Sequence, residues 1–350
     1  MDLKDKRKIT DLFKKNYNNK SFITAEISAN HGGKLSNIEK IIKNLKNSEV
    51  DAIKIQLYKA DRITINSDKK DFVISSKNTW KKYKSLYNLY KQAQTPYSWY
   101  DKINSLCKKN NLILFSSVFD LETVNFLKKK NCPIYKIASP EITDIPLITK
   151  VAKTGKPVFL STGLANKKDI TLALKTLRDN RCKKIILMKC TSAYPAPENE
   201  INLKTMIDFK KKFKVQIGYS DHTIGNISAI AAATLGARVI EKHIIFNKKK
   251  KTVDDFFSTS LNDFKKMANE IRKAERVLGQ VNYNISKESK KNLDGRKSIY
   301  AIKDIKKNEF FSDLNIRCIR PSFGLHPKYY LKLIGKKTKK KFSIGDKIKL

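Results

Sequence analysis

Several things are scarce in this 350-residue chain, and each scarcity excludes something. No apolar run approaches the ~20 residues that a membrane-crossing helix needs. The first twenty residues, MDLKDKRKITDLFKKNYNNK, carry no apolar core of a secretory leader, so none is expected and the protein reads as cytoplasmic. The five cysteines (Cys107, Cys132, Cys182, Cys190, Cys318) are scattered, odd in number and without CxxC spacing. That argues against a disulfide frame or a cysteine zinc site and fits a reducing compartment. Acidic residues are outnumbered, 33 against 74 basic ones, giving a formal charge of +41. Such a charge raises the possibility of a nucleic-acid partner. The excess is nearly all lysine and spread over every segment, whereas recognition surfaces cluster arginine forks, so it reads as compositional drift with no nucleic acid implied. The lysine run at 247–252 reads as a solvated loop, and the aromatics of WKKYKSLYNLY as helix packing rather than a base-stacking platform. A GxGxxG turn after the first strand is also missing, since EISANHGG stands there, which argues against an open dinucleotide-binding sheet.

What is present is regular. From Phe22 on, eight short apolar runs alternate with periodic helix-like stretches. The runs are 22–28, 52–57, 112–116, 133–138, 157–161, 184–190, 215–220 and 238–243. Between them lie helical patterns at 36–48, 97–109, 121–130, 145–153, 168–178, 203–211 and 226–235, with a last one at 261–278. Ser36 and Asp144 are expected as N-caps, and Gly155 and Gly236 as stops. Strands alternating with helices imply a parallel sheet, and eight units imply a closed (β/α)8 TIM barrel, an α/β fold. The second β–α connection, 58–96, is long and is expected to hold its own helix at 78–90; long loops at this end of a barrel cover active sites. Beyond about residue 281 short β-like runs are broken by Gly, Pro and Asp. The predicted division is a barrel at 1–284 and a small β-rich domain at 285–350, near the lower limit for an independent core.

Residues at the C-terminal ends of barrel strands face the reaction site. Here they are Glu26, Asn30 and His31; Lys54 and Gln56; Ser116 and Ser117; Lys136, Ser139 and Glu141; Ser161 and Thr162; Lys189, Thr191 and Tyr194; Ser220, Asp221 and His222; Glu241 and His243. So polar a set needs a ligand or an internal network. The chain has only four histidines, and two of them, His222 and His243, end successive strands. Convergent imidazoles with open positions suit a divalent ion such as Mn²⁺, Fe²⁺, Co²⁺ or Zn²⁺; satisfied core histidines are the other reading. Lys54 and Lys136 lie inside apolar strands. Either an anionic ligand or internal pairing with Glu26 and Glu141 would offset their burial. With Ser139, Ser161, Thr162 and Ser220 nearby, the anion would be a phosphate, a carboxylate, or both on one molecule.

The stretches AEISANHGG, DAIKIQLYKAD, YKIASPEITDIPLI, PVFLSTG, KCTSAYPAP, GYSDHTIG and ARVIEKHI closely resemble the sialic acid (N-acetylneuraminate) synthase family. GRKSIYAIKDIKKNEFFSDLNIRCIRPSFGLHPKY resembles that family's antifreeze-like SAF domain, of β-clip type. KCTSAYPAP and RPSFGLHPKY look most like the family's pseudaminate branch. The resemblance implies a homodimer in which the SAF domain of one subunit closes the barrel mouth of the other. It implies condensation of phosphoenolpyruvate with an N-acetylated amino sugar in its open form, with release of phosphate. It implies His222 and His243 as ligands of a divalent ion (Mn²⁺, with Mg²⁺ or Co²⁺ as alternatives). Lys54, Lys136, Ser139, Ser161 and Ser220 would hold phosphoenolpyruvate. Glu26, Glu141, Tyr194 and Asp254 would act at the reacting carbons, and Gln56, Asp254 and Arg320 would hold the sugar. Pro140, Thr259 and the pair Ser322–Phe323 depart from residues usual in the family, so three sugars stay open. The first is the diacetamido-trideoxy-altrose of the pseudaminate branch; the others are N-acetylmannosamine and the legionaminate precursor.

Overall fold

The computed structural model describes residues 3–14, 20–248 and 251–349. The middle of the lysine run expected as a solvated loop, residues 249 and 250, therefore lies outside the described residues. The chain divides into two compact units, Met1–Gly279 and Gln280–Leu350; the boundary predicted after residue 284 falls inside the second.

Among the described residues of the first unit, eight parallel strands close into a barrel: β1 (Phe22–Glu26), β2 (Ala52–Gln56), β3 (Ile113–Val118), β4 (Tyr135–Ile137), β5 (Val158–Ser161), β6 (Ile185–Cys190), β7 (Gln216–Asp221) and β8 (Val239–Ile245), and a short ninth, Thr259–Ser260, pairs with the end of β8. Closure runs through β1 and β8, where Ile23 faces Ile240 and Glu26 faces His243. These strands are nearly continuous runs of buried Ile, Val, Leu and Phe because both faces are covered, one by the barrel interior and one by helices. Each of the eight expected runs is a strand, within one or two residues at either end.

Helix ends follow local chemistry. Asp144 caps Ile145–Ala152, accepting from Leu147 N at 3.0 Å. Asn166 and Asp169 make a reciprocal capping box for Lys167–Asp179. Gly155 and Gly236 end their helices at φ +70° and +90°, a conformation that favours glycine. Ser36 is not a cap. Its helix begins at Leu35, after Lys34, and the preceding turn is held by Asn37 Nδ2 donating to His31 O at 2.9 Å.

The long connection after β2 also differs from expectation. No helix spans 78–90. Asn78 Oδ1 accepts from Trp80 N in a side-chain turn, and Lys84 takes φ +64°, which ends a short 3-10 turn. Ser85 then caps a new helix, Leu86–Ala93, accepting from Asn88 N at 3.2 Å. Around it Tyr58, Ile74, Leu89 and Ala93 form a satellite core with Ala29 and Val253. On helix Leu261–Leu278, Arg272 binds Asp51 at 2.9 Å, Glu275 at 3.0 Å and the Ser21 carbonyl at 2.7 Å, beside the N-terminal ends of β1 and β2.

The second unit is β-rich. Ser298–Ala301 pairs antiparallel with Ile316–Ile319, and isolated bridges join Ile305 to Phe342 and Phe310 to Lys337. Ile299, Ile305, Phe311, Ile316, Phe342 and Ile348 fill its small core.

Candidate active site

The polar strand ends converge on one carboxylate. Glu241 lies on β8 two residues before His243, so strand alternation turns both to the same face. Its Oε1 accepts from Lys54 Nζ at 2.9 Å, Lys136 Nζ at 2.7 Å and Ser220 Oγ at 3.1 Å. Lys54 also pairs with Glu26 Oε2 at 2.7 Å and donates to Ser117 Oγ at 3.2 Å. All of these side chains are buried. The internal network weighed for the two lysines therefore exists, with Glu241 rather than Glu141 as the second acid. Burial pulls the Lys54 ammonium down to about 7; the Glu241 charge opposes this and the Lys136 charge adds to it. For Glu241 burial acts upward, but the two ammoniums outweigh it and hold the carboxyl well below its usual range.

Around this hub several buried polar atoms have no hydrogen-bond partner: Glu241 Oε2, Ser161 Oγ, Ser192 Oγ, Glu141 Oε2 and His243 Nδ1. Each such atom costs about 1–3 kcal/mol unless something binds it. Their gathering at one end of the barrel marks a place built for a polar ligand. Gly163 belongs to the same place: its N–H donates to Ser139 Oγ at 2.9 Å, and a Cβ there would meet Ser139 Oγ at 2.9 Å and press on Ser192 Oγ. Burial pushes the Glu141 carboxyl up to about 7. Asp254 is also raised by burial, against hydrogen bonds from Ser28 Oγ (2.6 Å) and Ala29 N (3.3 Å) to its Oδ2.

The two histidines meet. Their ring centroids lie 5.4 Å apart. His222 Nδ1 sits 2.9 Å from the Thr191 carbonyl, so that nitrogen carries a proton and Nε2 is the one left to meet an ion; burial acts downward on this imidazole, but Cys190 and the Thr191 carbonyl raise it above its ordinary value. Cys190 Sγ lies 3.7 Å from the same Nδ1. Burial, with the charges of His222, Lys54 and Lys136, keeps His243 neutral. Among the described residues no cluster of three or more His, Cys, Asp and Glu is arranged to hold a metal, so the pair stands without a third protein ligand. An aromatic wall flanks it: Tyr194 packs on His222 at 4.5 Å, Phe257 on His243 at 4.7 Å, and Trp80 on Tyr194 at 5.6 Å. Burial raises the Tyr194 phenol, which keeps it protonated. Trp80 is anchored by Nε1 donating to Val253 O at 3.0 Å, so this ring, expected in helix packing, stands in a turn against Tyr194 and Phe256.

Gln56, half-buried, ends β2 next to this set. Arg320 is exposed and lies in the second unit. His31 is not part of the cluster: it sits 3.2 Å from Ala93 O and accepts from Gly33 N at 3.0 Å, a satisfied core histidine. Sequence reasoning put Glu241 at a strand end facing the site but gave it no role, and it left Ser192, Gly163, Trp80 and Phe257 out. For Glu241 a signal existed, an acid in phase with His243 on an apolar strand. For Trp80 and Phe257 none did, because loop residues reach the site only through the tertiary fold.

The profile of the NeuB family matches residues 41–283 and that of the SAF domain residues 296–349. The chain belongs to the NeuB family. This is the family that the motifs resemble, a family of phosphoenolpyruvate-condensing nonulosonic acid synthases. The chain is 42% identical over 334 residues to the pseudaminic acid synthase of Campylobacter jejuni, covering 95% of this chain and 97% of that protein. It is 36% identical to the N,N'-diacetyllegionaminic acid synthase of the same species, covering 94% and 99%. Among solved structures it is similar to the spore coat polysaccharide biosynthesis protein of Bacillus subtilis, with a TM-score of 0.63, 28% identity and 94% of each chain covered. No described helix is long and apolar enough to cross a membrane.

Proposed function

We propose that this protein condenses phosphoenolpyruvate with open-chain 2,4-diacetamido-2,4,6-trideoxy-altrose, releasing phosphate and forming pseudaminic acid. The observation that carries the reading is the pair of buried ammoniums sharing Glu241 Oε1 beside unpartnered hydroxyls and two facing imidazoles. Greater identity to the pseudaminic acid synthase than to the legionaminic one supports the choice of sugar.

In this reading Lys54 and Lys136 take the phosphate and carboxylate of phosphoenolpyruvate. Ser139, Ser161 and Ser220 donate hydroxyl hydrogen bonds that fix its orientation. Its C3 bonds to the sugar's aldehyde carbon, and positive charge develops at C2. Glu26, and Glu141 in its ionised form, face that charge and lower its energy. Water adds at C2, giving one proton to Glu26, which passes it to the former aldehyde oxygen; the C2 hydroxyl then yields its remaining proton to the departing phosphate as the C–O bond breaks, leaving the C2 ketone. Tyr194, protonated, and Asp254 hold sugar hydroxyls, and Gln56 orients the chain. Arg320, supplied by a partner subunit in a homodimer, would bind an acetamido oxygen while the partner's SAF domain covers the mouth. The enzyme would work in the cytoplasm without nucleic-acid or membrane partners.

The histidine pair fits a divalent ion: His222 turns Nδ1 to the Thr191 carbonyl and leaves Nε2 to meet an ion, and His243 is neutral with Nδ1 unpartnered. His222 and His243 would hold Mn²⁺, or Mg²⁺ or Co²⁺, which supplies Lewis acidity toward the aldehyde oxygen. Phosphate release coupled to a colour reaction tests the assignment, with phosphoenolpyruvate and each of the three candidate sugars. Release is expected with the diacetamido-trideoxy-altrose. Release only with N-acetylmannosamine or the legionaminate precursor would move the assignment to that sugar, and none with any would end the condensation reading.

A further inference from the structure

Two charged residues that the chemistry above leaves unused stand next to the histidines in the chain. Asp221 precedes His222, and Lys242 precedes His243. Asp221 and Lys242 face each other across β7 and β8, one rung beyond Ser220 and Glu241. Because strand residues alternate, this rung turns away from the Glu241 hub, toward the surrounding helices. There Lys242 Nζ lies 2.6 Å from Asp221 Oδ2, with both side chains at most 2% exposed.

The pair grips the backbone around His222. Asp221 Oδ1 accepts from Thr223 N at 2.9 Å, Thr223 Oγ1 at 2.8 Å and Tyr219 OH at 3.2 Å. Oδ2 also accepts from Ser228 Oγ at 3.0 Å. Lys242 donates a second bond to the Thr223 carbonyl at 2.6 Å. The residues before and after His222 are therefore both fixed, and the one that fixes them from β8 is covalently next to His243. A buried ion pair is a weak source of net stability, because desolvation offsets most of its attraction. What it supplies over two packed apolar side chains is direction: both partners are held at defined angles by several bonds.

We propose that the Asp221–Lys242 pair is a positioning device that sets the spacing of the His222 and His243 imidazoles for one divalent ion. The inference rests on the metal reading above. Partners that hydrogen-bond the ligating side chains themselves typically govern affinity by about 10–100-fold, and this pair, acting through the backbone on both sides of His222, is expected to reach that range.

The test uses the full chain. The double variant Asp221→Leu/Lys242→Met removes both charges together, so no buried charge is left unpaired. Mn²⁺ affinity is read from the electron paramagnetic resonance of the free ion, and Co²⁺ geometry from its visible absorption. Circular dichroism checks that the protein is folded at the measuring temperature. The expected result is about a 10–100-fold weaker Mn²⁺ affinity and an altered Co²⁺ spectrum in folded protein. Affinity within twofold of the unaltered protein, whatever the melting temperature, overturns the positioning role. Should the double variant not fold, Ser228→Ala and Thr223→Val each remove individual bonds to Asp221 and are held to the same criterion, affinity within twofold of the unaltered protein overturning the role. Lys242→Arg, which keeps charge and donors, should retain most of the affinity. Failure of the unaltered protein to bind either ion overturns the metal reading itself, an outcome distinct from equal binding by all variants.

Discussion

Raising the pH through neutrality should weaken capture of phosphoenolpyruvate, because Lys54 is half-titrated there. Its folded value, about 7, lies far below the ordinary lysine value, with burial as the main cause. The sign follows directly: the cation is present below about 7 and is lost as pH rises through that value. Since kcat/KM reports the free enzyme, its value for phosphoenolpyruvate should fall toward a tenfold loss per pH unit on the alkaline side. The bound state differs. A dianion about 4 Å away, at an effective dielectric near 20, favours the ammonium by about 4 kcal/mol per unit charge. At 1.36 kcal/mol per pH unit, the alkaline limb of kcat should therefore move up by two units or more. Initial-rate phosphate release between pH 6 and 9.5, at low and at saturating phosphoenolpyruvate, separates the two limbs. Lys54→Met should lower kcat/KM by roughly 10² or more through lost positioning and abolish the limb near 7. A variant that keeps the same limb would show that another group titrates. A flat wild-type profile from 6 to 9 would refute the burial argument, and an unchanged rate would remove Lys54 from the site.

Three further outcomes are expected. Excess EDTA should abolish activity and Mn²⁺ or Co²⁺ should restore it; full activity in excess chelator would end the metal role of His222 and His243. Arg320→Ala should raise the sugar KM by roughly 10–100-fold, the worth of a hydrogen bond to a charged group, with the phosphoenolpyruvate KM unchanged; a sugar KM equal to that of the unaltered protein would detach Arg320 from the site. Arg272→Met leaves Asp51 and Glu275 without their guanidinium and should cost about 3 kcal/mol or more, read as a lower melting temperature. Steady-state constants at 25 °C should not change, since this cluster lies at the N-terminal ends of the strands.

The barrel was legible because its signal is repeated. Eight apolar runs, separated by helical periods and punctuated by Asp144, Gly155 and Gly236, leave little choice of topology. The convergence of His222 and His243 followed from counting strands, since neighbours in a parallel barrel must end side by side. What escaped was chemistry depending on which lone pair meets which donor. Glu241 outcompetes Glu141 for the lysines because strand phase aims it inward next to Ser220, whereas Glu141 sits in the 3-10 turn after β4. The helix expected at 78–90 failed because Asn78 offers the backbone a side-chain turn, a local competitor that periodicity does not register.

Glu241 Oε1 is already occupied three times over before any substrate arrives. On the proposed reading an incoming enol phosphate would have to break into that arrangement, and when inorganic phosphate departed the two ammoniums would have a counterion to fall back on. The carboxylate would thus act as a resident competitor: it would cap how tightly an anion can be gripped, and by the same measure speed the emptying of the site for the next turnover.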